Sequence, residues 1–261
     1  MPHAVARLRA DRLARSTKPF MARGGFKRER CPACRLVPSH CMCALRPALA
    51  VRAGVCLLMA DIEPLKPTNT GWLVADMVPD TFAFGWTRTQ PDPGLLALLR
   101  DPQWQPLVVF PGQYAAPERV VEAVPPAAAA NGEDGRRPLF VLLDATWTEA
   151  RKMFRRSPYL DAFPVLSLSP TKSSQYRLRQ TCHEHHLCTS EVAALCLELA
   201  DEPLAACVLD AYLDVFTHHY LQAKNQQPVD PDGSARQRLR ALSSAPTTDP
   251  GAGDARPEGA F

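Results

Sequence analysis

The longest apolar runs in the chain are short and continuous rather than alternating. Residues 53–60 (AGVCLLMA) and 139–143 (LFVLL) carry no polar side chain. That is the pattern of a strand buried on both faces. Residues 81–86 (TFAFGW) and 107–110 (LVVF) predict two more strands. Residues 91–100 (PDPGLLALLR) predict a short helix opened near proline, residues 144–156 have helical spacing, and 188–200 and 203–222 predict two further helices. Residues 125–137 (PPAAAANGEDGRR) have the composition of a loop. Strands separated by helices predict an α/β fold with a largely parallel sheet and flanking helices. Ligands of such folds bind beyond the carboxyl ends of the strands. The rule singles out Asp144, directly after LFVLL, and the loop after Met59. No internal repeat is visible.

The two ends look different. Residues 1–30 carry nine Lys or Arg against Asp11 and Glu29 and show no apolar periodicity. They are expected to form a flexible basic arm, either solvated or paired with phosphate. From Pro228 onward Pro, Gly, Ser and charge dominate, which predicts a disordered tail. The expected division is therefore an arm over 1–30, a Cys-rich module over 31–45, a main domain over 46–227 and a tail over 228–261.

An apolar fraction of 46% in 261 residues is enough for a sizeable core, and a net charge of +3 does not by itself point to nucleic acid. No apolar stretch approaches the roughly 20 residues that span a bilayer, and no hydrophobic run follows the basic N-terminus. A soluble, cytoplasmic protein without a membrane partner or an obligate protein partner is expected. The nine cysteines then need an explanation other than disulfides. Cys31, Cys34, Cys41 and Cys43 are dense enough to converge on one tetrahedral ion, and zinc would tie down a segment too short for its own core. An iron–sulfur cluster is the alternative. A second group, Cys182-His-Glu-His-His-Leu-Cys188, lacks clear ligand spacing and reads as a solvated loop. His218 and His219, near the end of a predicted helix, read as structural.

Asp144 can accept a proton, orient a ligand or cap the helix that follows. Thr146 and Trp147 open that helix, and the indole can pack in the core or stack on a base. Arg151 with Arg155 and Lys152 with Arg156 form adjacent columns, hence a basic face suited to phosphate. Lys172, Arg177 and Arg179 add a second basic group, with Tyr176 among them as a stacking surface. Thr68, Asn69, Thr70 and Gly71 offer hydroxyls, an amide and a bare backbone, either to a small polar ligand or to an ordinary turn. Thr189, Ser190 and Glu191 start a helix whose free N–H groups suit a carboxylate, while Glu191 suits an ammonium group.

Four of these segments together resemble one family: the cysteine cluster; Leu65-Lys-Pro-Thr-Asn-Thr-Gly-Trp72; Asp144-Ala-Thr-Trp-Thr-Glu-Ala-Arg-Lys-Met153, with its Asp-x-Thr-Trp signature; and residues 167–194, containing Tyr176-Arg-Leu-Arg179 and Cys188-Thr-Ser-Glu191. Over residues 31–225 the chain is similar to the DTW-domain tRNA-uridine aminocarboxypropyltransferases. Ala145 departs from the glycine common there, and the His-rich segment 183–186 has no counterpart. The resemblance implies a knotted, SPOUT-like α/β fold. It implies S-adenosylmethionine as co-substrate, tRNA as partner and a uridine N3 as acceptor. It places Asp144, Thr146 and Trp147 at the reaction, and residues 68–71 and 189–191 at the donor. A SPOUT-type RNA methyltransferase and a non-catalytic zinc-containing RNA-binding protein are the alternatives.

Overall fold

The computed structural model describes residues 1–17, 20, 29–126, 135–169, 174, 176–178 and 187–244. Its centre is a six-stranded sheet in the order β2-β1-β5-β3-β6-β4. The strands are β1 (Gly54–Met59), β2 (Thr81–Gly85), β3 (Trp104–Val109), β4 (Val120–Val121), β5 (Arg137–Asp144) and β6 (Val165–Leu166), and every pairing is parallel. The expected α/β architecture with a parallel sheet is what forms.

Strand alternation divides the core. Val55, Leu57, Met59, Phe140 and Leu142 face one layer, which holds α1 (Ala4–Ala14), α2 (Gly71–Met77), α5 (Thr189–Leu199), α6 (Pro203–Lys224) and α7 (Ser234–Ser243). Cys56, Leu58, Leu139 and Val141 face the other layer, built on α3 (Pro93–Arg100) and α4 (Trp147–Arg155). All six residues of β1 are buried, as a strand covered on both faces demands. The chain leaves β1 toward β2 on one side and reaches β5 and β3 on the other. The strand order reverses at the carboxyl ends of β1 and β5, the place where α/β sheets generally bind ligands. Ala60 N–H donates to the Asp144 carbonyl there at 3.0 Å.

Both ends of the chain depart from expectation. Within 1–30, α1 docks on the main body, with Val5 fully buried and Arg12 paired with Asp61 at 2.7 Å. Its buried stripe is only Ala4 and Val5, too narrow to read as periodicity; tertiary packing holds it, as for most short helices. Within 228–261, α7 lies against α6 through Ala235 and Leu239, with Arg238 bonded to Asp214 at 2.7 Å. The cysteine segment shares the main core through Leu36 and Met42. Among the described residues no helix is long and apolar enough to cross a membrane.

If α1 is part of the core, Val5→Ala lowers stability by about 1–3 kcal/mol. Denaturant unfolding measures it, and wild-type stability in this variant would show that α1 is dispensable to the fold.

Candidate active site and metal centre

Asp144 ends β5 and is only 2% exposed. Its Oδ2 accepts from Asn69 Nδ2 at 2.7 Å and its Oδ1 from the Thr189 hydroxyl at 2.8 Å. The carboxylate thus ties β5 to the loop before α2 and to the start of α5. Asn69 is fully buried; its amide also lies 3.4 Å from Glu63 Oε2, and its carbonyl oxygen accepts the Trp72 N–H at 3.1 Å. A Cβ on Gly71 would sit 2.5 Å from Asp144 Oδ2. Glycine is required here because a carboxylate occupies the space of a side chain.

Residues 68–71 were expected to present polar groups to a ligand, and most are instead engaged within the protein. Asn69 holds Asp144, Thr70 Oγ1 accepts the Ser190 N–H at 3.3 Å, and the Thr68 carbonyl accepts the Tyr176 hydroxyl at 2.6 Å. The start of α5 is likewise occupied. Glu191 accepts the Cys188 N–H at 2.7 Å, which closes a capping box, and also accepts the Ser174 hydroxyl at 2.8 Å. Glu191 is therefore a cap with partners of its own. Ser190 differs: it is fully buried, and its Oγ has no hydrogen-bond partner among the described residues.

The N-cap residue of α4 is Thr146. It forms a capping box with Glu149, whose Oε2 accepts the Thr146 N–H at 3.1 Å. The half-buried Trp147 stacks on Phe110 with ring centroids 5.5 Å apart and 13° between planes, and meets Tyr114 edge-on at 5.9 Å. Trp86 follows β2, its indole N–H donating to Ser157 at 2.9 Å. Sequence reasoning did not single out Phe110, Tyr114 or Trp86. Their signal was available, since each follows a strand at the carboxyl end of the sheet.

On α4, Ala150, Met153 and Phe154 are buried while Arg151, Lys152, Arg155 and Arg156 are exposed. None of the four cations forms an ion pair among the described residues. The Arg151 guanidinium lies 5.1 Å from the Tyr114 ring centroid and the Lys152 ammonium 5.9 Å from that of Trp86. Arg177 is exposed, but Tyr176 is 6% exposed and cannot serve as a stacking surface. It packs under the 66–72 loop because its hydroxyl has a carbonyl to satisfy there. Lys172, Arg179 and the segment Cys182 to His186 lie outside the described residues.

The four Sγ atoms of Cys31, Cys34, Cys41 and Cys43 lie within 4.8 Å of one another. The Cys31–Cys43, Cys34–Cys41 and Cys31–Cys41 separations are 3.6, 3.7 and 3.8 Å. Zinc–sulfur bonds of about 2.3 Å in a tetrahedron give S–S edges of roughly 3.8 Å, so the residues fit one tetrahedral ion. A multi-iron cluster would place the thiolates on different irons. Burial pushes the Cys34 and Cys43 thiols up, and a divalent cation supplies the charge that lets them ionise. The segment also reaches the Asp144 site. Arg35, at φ 64°, donates to the carbonyls of Lys66 and Asn69 at 2.6 Å each and lies 4.2 Å from the Trp72 ring centroid.

A family model described as DTW domain matches residues 28–221, which include the cysteine cluster, the Asp144 clamp and α4. No solved structure matches the chain.

The cysteine geometry predicts one divalent ion per chain. Cys31→Ser with Cys34→Ser should abolish it, read by elemental analysis of the purified protein; retained stoichiometry would place the ion elsewhere.

Proposed function

The chain belongs to the DTW-domain family, and we propose that it modifies tRNA by transferring the 3-amino-3-carboxypropyl group of S-adenosylmethionine to N3 of a uridine. The observation that carries this reading is the fixed carboxylate of Asp144 at the carboxyl end of the sheet, together with a buried hydroxyl that has no partner, and a face of cations that form no ion pair, among the described residues. On this reading the topology is the knotted SPOUT-like one and the ion on the four cysteines is zinc.

The residues fit such a donor in two places. Ser190 Oγ lacks a partner among the described residues, and a buried hydroxyl seeks one; it suits the amino-acid end. Trp147, half-buried beside Tyr114, suits the flat adenine. The donor supplies a carbon made electrophilic by the attached sulfonium. In the transfer, uridine N3 forms a bond to the γ-carbon, the carbon–sulfur bond breaks with its electron pair going to sulfur, and methylthioadenosine leaves as a neutral thioether. The N3 proton must depart. Asp144, immobilised by Asn69 and Thr189, is the group that takes or orients it. The exposed cations of α4 hold tRNA phosphates.

Incubating tRNA with enzyme and donor and weighing the released nucleosides separates this reading from methyl transfer, because the aminocarboxypropyl and methyl adducts differ in mass. Asp144→Asn keeps the hydrogen-bonding size of the side chain and cannot accept a proton. It should bind donor and tRNA while losing about 10²–10⁴-fold in rate. Partial recovery at high pH identifies a base; a pH-independent loss identifies an orienting role, and near-normal activity would reduce Asp144 to a structural clamp. Arg151→Ala with Arg155→Ala should weaken tRNA binding and flatten its salt dependence by about two phosphate contacts. An unchanged slope would mean that the α4 face is only solvated.

A further inference from the structure

A cavity of about 230 Å³ opens between α6 and α7, on the layer opposite α4. His218, His219, Gln222, Asp230, Ser234 and Arg236 are among its lining residues. The activity proposed above uses none of them. Three features of this cavity are chemically incomplete.

His219 is 2% exposed, and its Nδ1 lies 2.9 Å from the His40 carbonyl. A carbonyl only accepts, so Nδ1 carries the proton and Nε2 of the neutral ring is left as an acceptor. That Nε2 is buried and has no partner among the described residues. Burial lowers the pKa of the ring against the opposing pull of the His40 carbonyl, and so favours its neutral form. Arg236 also lines the cavity; its Nε is buried and unsatisfied, and the guanidinium makes no hydrogen bond or ion pair among the described residues. Finally, no side chain caps α7, whose N-cap is Gly233, so its first N–H groups lack side-chain partners. The one carboxylate at the rim, Asp230, accepts the Asp232 N–H at 2.9 Å.

A complementary ligand must bring anionic oxygens for the guanidinium and the helix N-terminus, and a hydroxyl to donate to Nε2. An acid phosphate carries both on one tetrahedron. We propose that the α6–α7 cavity binds a phosphate monoester, with Arg236 and the start of α7 holding its anionic oxygens and His219 Nε2 accepting its acidic hydroxyl. Sulfate has the same tetrahedral shape but no proton to give at neutral pH, whereas a phosphate monoester can keep one, its second pKa being about 6, and the site discriminates against sulfate. The ligand's source is either a free small monoester or the terminal phosphate of an RNA.

Calorimetric titration of the full-length, metal-loaded protein with inorganic phosphate, glycerol 3-phosphate and sulfate tests the site. Glycerol 3-phosphate has no base and so does not enter a nucleoside site. Both phosphates should bind at least about tenfold tighter than sulfate, and Arg236→Gln should weaken them by about tenfold or more with unchanged melting temperature. His219→Gln, which replaces the ring acceptor, should narrow the preference over sulfate. Binding of tRNA before and after enzymatic removal of its 5′-phosphate distinguishes the sources. A difference seen in the wild type and lost in Arg236→Gln assigns the site to the RNA end, and equal affinities assign it to a free monoester. Absence of phosphate binding, sulfate binding as tight as phosphate, or Arg236→Gln titrating like the wild type each overturns the proposal. None of these results depends on whether the protein transfers an aminocarboxypropyl group.

Discussion

A buried carboxylate at the end of a central strand must have hydrogen-bond donors, and the way Asp144 finds them organises everything around it. Its two oxygens take the Asn69 amide and the Thr189 hydroxyl, so three chain segments far apart in sequence are fixed to one point. Leaving such a group buried without a partner costs several kcal/mol, more than the chain gains from almost any single side-chain contact. That cost explains Gly71, where a methyl group would collide with the carboxylate. It also explains why Asn69 is wholly buried, with its amide between Asp144 and Glu63 and its carbonyl oxygen on the α2 backbone.

The clamp has a second support. Arg35 comes from the loop between the paired cysteines and reaches across to the carbonyls of Lys66 and Asn69, while Trp72 donates to the Ala33 carbonyl at 2.7 Å. His3, at the start of α1, also meets Trp72 edge-on at 4.5 Å. A metal that closes the four-cysteine loop therefore does more than stabilise a short segment. It would fix the left-handed backbone at Arg35, whose guanidinium holds the 66–72 loop that sets Asn69 against Asp144. Cysteine module, N-terminal helix and site form one connected set of contacts.

Much of this was legible in the sequence where a single signal dominated. The apolar runs of β1 and β5 could only be buried strands, and Asp144 at the end of one was conspicuous because a carboxylate has no packing use there. The four cysteines and the cations of α4 were equally plain. What escaped was whatever depends on a partner distant in the chain. The α1 helix presents Ala4 and Val5 to a groove that exists only after folding, and α7 presents Ala235 and Leu239 to α6. Tyr176 lies in a basic stretch, yet it is buried because the Thr68 carbonyl awaits its hydroxyl. Residues 68–71 and 189–191 carry the polar groups of a binding loop, and composition does not reveal that they chiefly bind one another.

The same alternation that builds the sheet also sorts the site into two halves. Leu142 and Asp144 share one parity on β5, and Leu142 faces the α2–α5–α6 layer, where Asn69 and Thr189 wait. Leu143, of the opposite parity, packs with Trp147 and Phe110 in the α4 layer. The polar clamp thus falls on one side of the strand edge, and the rings and exposed cations fall on the other. A slip of one residue in the β5 register would exchange them and bury the carboxylate among aromatic rings with no donor. The fully apolar LFVLL run tolerates either parity, so the run itself cannot set the register. Asp144 can, because only one of the two faces supplies an amide and a hydroxyl. The group proposed to handle the uridine proton is also the group that aligns the strand carrying it.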